Sequence, residues 1–374
     1  MKKSIVLTGG GSGGHFYPLI AVAEEIRKIN DTNHDFKLFY LAPDPYKIEL
    51  LQKNNISFVK VPAGKRTRYF SLGNFLTPFK LVIGTIIAIK KLYFIYPDVV
   101  FSKGGYASLP VVLAAAFLRI PIVIHESDSK VGTANKIAAR FARYIAIAFP
   151  DVASAFPEEK TALVGIPLRH VIMGKKQNPI EALGLPSDKP LIFITGGSLG
   201  AEKINNLVLE SLDELLPHYT LLHQTGPKHE DLVQQTAVSL MSDSGLLDHY
   251  FVRGTLTGEE MSLAQSAATL IVSRAGSTTI FEIAEEGKPS IIIPISEKVS
   301  HDQRTNAFAY ARSGAAQVIE EHNLADGLLF AEINRIITDQ DLYQRMSTAA
   351  AAFAKPHAAE KITTTLIDIA KEHK

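Results

Sequence analysis

The stretch from Gly9 to Gly14 places five glycines in six positions, and His15 follows at once. Glycines in a strand-to-helix turn leave backbone N–H groups accessible at the helix N-terminus, where they bind phosphate or another polar ligand. Because the pKa of an imidazole is ordinarily close to neutrality, His15 is a candidate general base. The alternative is a tight turn that needs positive φ, with His15 as a structural hydrogen-bonding residue.

Gly9, Gly11 and Gly14 also match the G-x-G-x-x-G pattern of dinucleotide-binding proteins. That pattern requires an acidic residue at the end of the second strand, where it would bind the cofactor's ribose. The second strand is predicted over residues 36–41 and is followed by Ala-Pro, with no carboxylate at that point. A nicotinamide oxidoreductase is therefore disfavoured, and no cofactor is implied.

Two further turns combine glycine with hydroxyl groups. Gly196-Gly197-Ser198 follows a predicted strand over Leu191–Thr195, and Gly276-Ser277-Thr278 follows a predicted strand over Leu270–Ser273. Each turn precedes a helical pattern, so its amides and hydroxyls suit a diphosphate. Glu282 lies about one turn inside the second helix, where a carboxylate accepts hydrogen bonds from two vicinal ribose hydroxyls. The alternative for Glu282 is a solvated helix carboxylate.

The elements that position these groups follow one order, strand then glycine turn then helix. Gly196 lies 187 positions after Gly9, half of the 374-residue chain. This repeat predicts an α/β fold of two Rossmann-like domains whose parallel sheets face a central cleft. The predicted domains are residues 1–164 and 165–350, followed by a C-terminal helical segment, 351–374, that packs on either domain.

Composition narrows the class of protein. The absence of cysteine excludes disulfides and cysteine-ligated metal sites. The single Asp-x-Asp motif, Asp339-Gln340-Asp341, indicates helix capping, and no metal site is predicted. The apolar run after the N-terminal lysines is too short for a signal peptide, which favours the cytoplasm. Residues 1–160 carry 21 Lys+Arg against 12 Asp+Glu, so this half suits an anionic partner.

Eight motifs stand in order along the chain: Gly13-Gly14-His15 with Phe16 and Pro18, SKGGYAS (102–108), IHESDSKVGTANK (124–136), VGIPLR (164–169), GGSLGA (196–201), HQTG (223–226), SRAGSTTIFEIAEEGKP (273–289) and HDQRTNA (301–307). Together this set resembles the MurG family of peptidoglycan N-acetylglucosaminyltransferases. The resemblance implies the GT-B fold and metal-independent, inverting transfer of N-acetylglucosamine from UDP-N-acetylglucosamine to the C4 hydroxyl of the muramyl sugar of lipid I, giving lipid II.

The resemblance also implies roles for individual residues. His15 is the first candidate for the base, and Asp128, His125 and Glu126 are its rivals. The implied donor-side residues are Ser12, Gly13, Gly14, Asp128, Arg169, Ser198, Val252, Gly276, Ser277, Thr278, Glu282 and Gln303. Among them, Arg169 and Ser198 would hold the diphosphate, Glu282 the ribose and Gln303 the sugar. The predicted acceptor-side residues are Gly104, Gly105 and Tyr106. Lys65 and Arg66, in a predicted loop after Gly64, either meet the acceptor's diphosphate or stay solvated.

Four departures from the family pattern stand out. Asp128 occupies a position where many members have Asn, so a carboxylate replaces an amide. Ile166 replaces a common Asn before Pro167, and Leu199 replaces a common Gln. The segment 251–261, which contains Val252, is expected to form a loop longer than the one that grips uracil in the family.

Residues 81–89, LVIGTIIAI, are flanked by Lys80 on one side and by Lys90 and Lys91 on the other. This pattern predicts either a helix in the interface of an anionic membrane or a buried core helix. A polyprenyl-linked acceptor favours peripheral binding at the cytoplasmic face of the inner membrane, and nothing points to nucleic acid. The alternative functions are a UDP-N-acetylglucosamine 2-epimerase of the same fold and a non-catalytic sugar-nucleotide sensor.

Overall fold

The computed structural model describes residues 2–33, 35–64, 77–173, 176–242, 244–296 and 301–372. The chain divides into two compact units. The first unit runs to His170 and resumes at Lys355, and the second runs from Val171 to Ala354. The boundaries predicted from the sequence, 164/165 and 350/351, fall a few residues before these points.

The first unit is built on a parallel sheet. Its described strands are β1 (Lys3–Thr8), β2 (Phe36–Ala42), β3 (Ile56–Lys60), β4 (Val99–Ser102), β5 (Ile122–Glu126), β6 (Tyr144–Ile147) and β7 (Thr161–Leu163). They pair in the order β3-β2-β1-β4-β5-β6-β7. The central strands are continuous runs of Val, Ile, Leu and Phe because helices cover both faces of the sheet. The edge strand β7 was not predicted.

The helices of this part of the chain are α1 (Gly13–Asn33), α2 (Ile48–Lys53), α3 (Thr77–Ile95), α4 (Leu109–Phe117) and α5 (Thr133–Ala138). Short 3-10 helices at Pro150–Ala155 and Glu158–Lys160 follow β6. Leu19, Val22 and Ile26 recur at helical spacing and lie buried along α1, whereas Ile29, the next residue of this series, is 39% exposed.

The second unit repeats the plan. Its described strands are β8 (Leu191–Thr195), β9 (Thr220–Gln224), β10 (Tyr250–Arg253), β11 (Leu270–Ser273), β12 (Ser290–Ile292) and β13 (Ala316–Val318), ordered β10-β9-β8-β11-β12-β13, all parallel. Its helices are α6 (Pro179–Ala182), α7 (Glu202–Glu210), α8 (Leu212–Leu215), α9 (Glu230–Met241), α10 (Gly258–Ala267), α11 (Ser277–Glu285), α12 (His301–Ala311), α13 (Leu328–Thr338) and α14 (Gln340–Phe353). Short 3-10 helices lie at Leu247–His249 and Glu321–Asn323.

The last helix, α15 (Ala358–Glu372), belongs to the first unit. Its apolar face, with Ile362, Leu366 and Ile369, lies in the same core as Val22 of α1. Asp339, predicted to cap a helix, does so in the second unit: its Oδ1 accepts a hydrogen bond from the Leu342 amide at 2.9 Å. The capping interpretation of the Asp-x-Asp motif is confirmed.

In both sheets the strand order reverses beside the first strand of the unit, between β1 and β4 and between β8 and β11. Thr8 pairs with Ser102 at the first point, and Thr195 pairs with Ser273 at the second. The connections leave such a point in opposite directions and open a crevice at the carboxyl ends of the strands, where ligands of α/β proteins bind. The predicted glycine turns occupy both of these points.

Candidate functional site

His15 lies in the first turn of α1, directly above the carboxyl end of β1. Its Nδ1 lies 2.9 Å from the hydroxyl oxygen of Ser12, and its backbone amide donates to the Ser12 carbonyl at 3.2 Å. A Cβ at Gly105 would lie 3.3 Å from Nε2 of His15, so glycine at that position lets the loop after β4 pack against the ring. The two glycine-rich loops therefore meet at the imidazole.

The second contact between these loops is made by Tyr106. A Cβ at Gly11 would lie 2.7 Å from its Cε1 atom, and Gly11 has a φ of +92°. Both the left-handed backbone and the lack of space require glycine here. The five-glycine stretch is thus shaped by a tyrosine that packs on it, in addition to any ligand.

His15 is a neutral imidazole at physiological pH. Burial lowers its pKa to about 4, with a further lowering by the ammonium of Lys103 and an opposing effect of the Asp128 carboxylate. Part of the residue remains exposed. A neutral, partly accessible imidazole is able to accept a proton from a hydroxyl group, but a pKa this low makes it a weaker base than an ordinary imidazole.

The carboxyl end of β5 supplies the acidic side of the same region. Glu126 is buried, and its carboxylate accepts hydrogen bonds from the Gly132 amide at 2.9 Å, from Asn135 Nδ2 at 3.1 Å and from the Asp128 amide at 3.2 Å. Burial raises the pKa of this carboxyl, as does the Asp128 charge. These contacts hold the loop after β5 in place and leave Glu126 a poor candidate for the base.

His125 and Lys103 complete the group. His125 is fully buried, and its Nε2 lies 2.7 Å from the Gly165 carbonyl oxygen. Lys103 follows β4, donates its backbone amide to the Thr8 carbonyl at 2.9 Å, and is 1% exposed. The Lys103 Nζ has no hydrogen-bond partner among the described residues. Lys103 was not predicted as a site residue. Its position between a buried strand and Gly104-Gly105 is the sequence feature that could have indicated it.

Arg169 lies in the first unit, with its guanidinium carbon 4.6 Å from the centroid of the Tyr17 ring. It was predicted to hold the diphosphate of the donor. The neighbouring amide of His170 donates to the Glu24 carboxylate at 3.0 Å, which fixes the end of this segment on α1.

In the second unit the turn from Gly196 to Gly200 carries Ser198 into solvent. The turn is held from below by the hydroxyl of Thr195, which accepts from the Gly197 amide at 3.0 Å and donates to Gln224 at 2.8 Å. A Cβ at Gly200 would lie 1.9 Å from the Thr225 carbonyl oxygen. Close packing against the β9 end therefore dictates glycine at this position.

The loop after β11 places Gly276 at the N-cap of α11 and Ser277 and Thr278 in its first turn. The Thr278 Oγ1 atom is buried without a hydrogen-bond partner in the described part of the chain. Gln265 Nε2 donates to the Glu282 carboxylate at 3.2 Å and so orients it. Gln303 accepts a hydrogen bond from the Ile295 amide at 3.3 Å through its Oε1. These residues form a second polar group at the switch point of this sheet.

The predicted long loop over residues 251–261 is wrong. Tyr250–Arg253 form β10, and α10 begins at Gly258 after a capping box in which Thr257 and Glu260 bond each other's backbone amides. Only the residues between Arg253 and Thr257 connect the two elements. Val252 is buried in the strand, and its carbonyl accepts from the Arg253 side chain at 2.9 Å. Lys65 and Arg66 lie outside the described residues.

Helix α3 exposes one apolar face. Its solvent-facing side chains, each more than half exposed, are Phe79, Val82, Ile83, Ile86, Tyr93 and Phe94. Ala88 and Leu92 on the opposite face are fully buried in the core of the first unit. Lys80, Lys90 and Lys91 are exposed along the same helix. The helix is therefore a core element with an uncovered apolar face, and none of the described helices is long and apolar enough to cross a bilayer.

Comparison with known proteins gives concordant matches. The N-terminal domain model of glycosyltransferase family 28 matches residues 5–147, and the C-terminal domain model of that family matches residues 191–362. A UDP-N-acetylglucosamine–N-acetylmuramyl-(pentapeptide) pyrophosphoryl-undecaprenol N-acetylglucosamine transferase of Clostridium botulinum is 33% identical over 344 residues, which cover 91% of this chain and 93% of the relative.

Solved structures show the same fold. MurG of Acinetobacter baumannii superposes with a TM-score of 0.75 at 25% identity, covering 98% of this chain and 99% of that chain. The UDP-GlcNAc 2-epimerase of Neisseria meningitidis bound to UDP-GlcNAc superposes with a TM-score of 0.70 at 15% identity, covering 98% and 100%. The second likeness concerns the fold alone.

Proposed function

Because the chain belongs to glycosyltransferase family 28 and has the GT-B fold, we propose that it transfers N-acetylglucosamine from UDP-N-acetylglucosamine to the C4 hydroxyl of the muramyl sugar of undecaprenyl-pyrophosphoryl-MurNAc-pentapeptide. The observation that carries this proposal is the similarity to the Clostridium botulinum transferase over nine-tenths of both chains. The product would be the disaccharide lipid used for peptidoglycan synthesis.

The chemistry is a single displacement with inversion. The acceptor O–H bond breaks, its oxygen forms a bond to the anomeric carbon, and the bond from that carbon to the diphosphate oxygen breaks, with its electron pair leaving on UDP. The proton passes to a base. His15 is the best-suited group of the first unit, since its imidazole is neutral and partly exposed. In the tautomer whose Nδ1–H donates to the Ser12 hydroxyl oxygen at 2.9 Å, Nε2 is unprotonated and would accept the proton.

The donor would bind to the second unit. The amides of the turn from Gly196 to Gly200 and the hydroxyls of Ser198, Ser277 and Thr278 suit the diphosphate of UDP, whose charge grows as the sugar departs. The Thr278 hydroxyl is buried and has no hydrogen-bond partner among the residues that the structure describes, which is a specific reason to place a ligand there. Glu282, oriented by Gln265, suits the ribose hydroxyls, and Gln303 suits the sugar. That Arg169 holds the diphosphate stays a prediction from the resemblance.

The acceptor would bind to the first unit, where Gly104, Gly105 and Tyr106 lie against the His15 loop. The polyprenyl chain keeps this substrate in a membrane, so the enzyme must work at a lipid surface. The exposed apolar face of α3, bordered by three lysines, is suited to insertion into the interface of an anionic membrane. We place the enzyme peripherally on the cytoplasmic face of the inner membrane.

The deciding experiment incubates the protein with labelled UDP-N-acetylglucosamine, with and without a lipid I analogue. Release of UDP that depends on the acceptor, with label in the lipid fraction, supports the proposal. Conversion of the sugar without acceptor would instead assign a 2-epimerase, and binding without turnover would assign a sensor. A His15→Ala variant run in parallel tests the role of the base.

A further inference from the structure

The ammonium group of Lys103 is a charged group that is buried in the interior of the protein. It lies in the interior of the first unit at the end of β4, and its Nζ has no hydrogen-bond partner among the described residues. Removing an ammonium from water without hydrogen bonds is unfavourable unless nearby charges compensate. The question is therefore which groups hold it there and what the charge does.

Lys103 lies between the two strand ends that carry the other ionisable groups. Its strand pairs with β1, which leads to His15, and with β5, which ends at His125-Glu126. A Cβ at Gly9 would lie 3.0 Å from the Lys103 Cβ and 3.4 Å from the His15 carbonyl oxygen. Glycine at position 9 thus lets the lysine stem pack directly beneath the loop that carries the imidazole.

The electrostatic neighbours of Lys103 and His15 overlap. Burial lowers the pKa of Lys103 to about 8, and the Asp128 and Glu126 carboxylates act in the opposite direction. Burial is the largest effect on the pKa of His15, and Lys103 and Asp128 add to it with opposite signs. His125 is buried and its pKa is lowered, first by burial and then by Lys103. Tyr40, which donates to the Gly9 carbonyl at 2.7 Å, has a pKa raised by burial and stays neutral.

Glu126 has a separate task, since its carboxylate bonds the amides of Gly132 and Asp128 and the side chain of Asn135. Asp128 is the acidic group that acts on both Lys103 and His15. We propose that Lys103 and Asp128 form an opposed pair of charges that sets the basicity of His15, with Lys103 as a positioning residue of the transfer reaction.

The pair has a defined use in the reaction. Asp128 stabilises the imidazolium that forms when His15 takes the acceptor proton. The buried ammonium opposes this effect at rest and during the reaction alike, so the balance of the two charges, added to burial, determines how readily the imidazole takes up the proton. The inference rests on the proposed function, in which His15 is the base.

The test is an NMR titration of the histidine signals without substrates, from pH 6 to 9.5. The protein is labelled at the imidazole Cε1, and each variant must be folded over this pH range. The His15 signal, assigned by its loss in His15→Gln, should shift with a midpoint near pH 8 as Lys103 loses its proton. In Lys103→Met this step should disappear. In Asp128→Asn the midpoint should fall by about one unit, because the carboxylate that favours the ammonium is gone.

His223, a buried neutral histidine of the second unit, serves as the internal control and should show no step near pH 8 in any variant. Lys103→Arg keeps the positive charge, so it should abolish the change in the His15 signal near pH 8 and leave the pKa of His15 unraised. Lys103→Met removes the charge and should raise the pKa of His15 by about one unit. If Lys103→Met does not fold, Asp128→Asn alone decides. An unchanged midpoint in Asp128→Asn, or a step that persists in Lys103→Met, would overturn the inference.

The result of this titration and the test of the proposed function can fail independently. Loss of acceptor-dependent UDP release would contradict the function while leaving the titration intact. A missing step in an active enzyme would contradict the charge pair alone.

Discussion

The Nδ1 atom of His15 lies 2.9 Å from the hydroxyl oxygen of Ser12, three residues earlier in the same turn. When Nδ1–H donates to this hydroxyl oxygen, Nε2 is the ring nitrogen left to accept the acceptor proton. We therefore expect His15→Ala to lower kcat by roughly 10²- to 10⁴-fold with little change in the KM for UDP-N-acetylglucosamine, and Ser12→Ala to lower kcat by roughly tenfold. Ser12→Thr, which keeps the hydroxyl, is the control. An unaltered kcat in His15→Ala would exclude the imidazole as the base.

Glu282 is oriented by Gln265 at 3.2 Å, and we expect it to bind the ribose hydroxyls. Glu282→Gln should weaken UDP binding roughly 10- to 100-fold, because hydrogen bonds to a charged group are stronger than those to an amide. Calorimetry should also show that the variant loses the preference of the wild type for UDP over 2′-deoxy-UDP. Glu210→Gln, an exposed carboxylate on α7, is the matched control. Equal preference for both nucleotides in the wild type would contradict the assignment.

The exposed face of α3 should bind anionic vesicles. Ile86→Glu should abolish sedimentation with vesicles that contain phosphatidylglycerol, since a charge replaces an apolar side chain that is 61% exposed. Leu232→Glu replaces a side chain that is 64% exposed on α9 of the other unit and should have no effect. Replacing Lys90 and Lys91 by Gln should weaken binding roughly thirtyfold and reduce its salt dependence. Equal binding by Ile86→Glu would mean that another surface meets the membrane.

His223 is fully buried between Asn205 and Tyr250, and burial lowers its pKa to about 3. The unfolded chain takes up a proton at this residue below about pH 6.5, whereas the folded protein does not. The free energy of unfolding of the second unit should therefore decrease as the pH is lowered. This residue alone should contribute a decrease of about 2 kcal/mol between pH 6.5 and 5. Urea titrations should show a shallower pH dependence for His223→Gln, and an identical slope would contradict the prediction.

Gly200 and Gly184 form a matched pair of glycines with positive φ, at +78° and +67°. A Cβ at Gly200 would collide with the Thr225 carbonyl, whereas Gly184 faces open space. Gly184→Ala should cost about 1 kcal/mol from the backbone conformation alone. Gly200→Ala should cost several times more or prevent folding of the second unit, as measured by denaturant unfolding. An equal loss of unfolding free energy in the two variants would show that the turn at Gly200 can move away from the Thr225 carbonyl at little cost.

The sequence is most informative where burial on both faces leaves a continuous apolar run. Strands β8 and β11 have the predicted bounds because each is a short run of apolar residues before a glycine turn. Strand β7 has only three residues, lies at the sheet edge and is largely exposed, so it leaves no such pattern. The connection after β10 was misjudged because the capping box at Thr257, which starts α10, was not recognised.

The candidate site was predicted in part. Glycine turns are visible in the sequence because their conformations exclude other residues. The interior position of Lys103 was not visible, because a lysine is nearly always at the surface. Only the register of β1 with β4, which sets the Lys103 amide on the Thr8 carbonyl, places this side chain beneath the His15 loop.

Helix α15 supplies part of the core around α1, although the whole second unit separates the two along the chain. On the ribosome, the first unit therefore cannot complete its packing until residues 358–370 have emerged. Synthesis of the intervening residues takes on the order of ten seconds or more at 5–20 residues per second. During that interval the side chains that α15 will cover, Val22 and Ile26 among them, remain accessible to chaperones. The second unit, whose residues are contiguous, has no such delay.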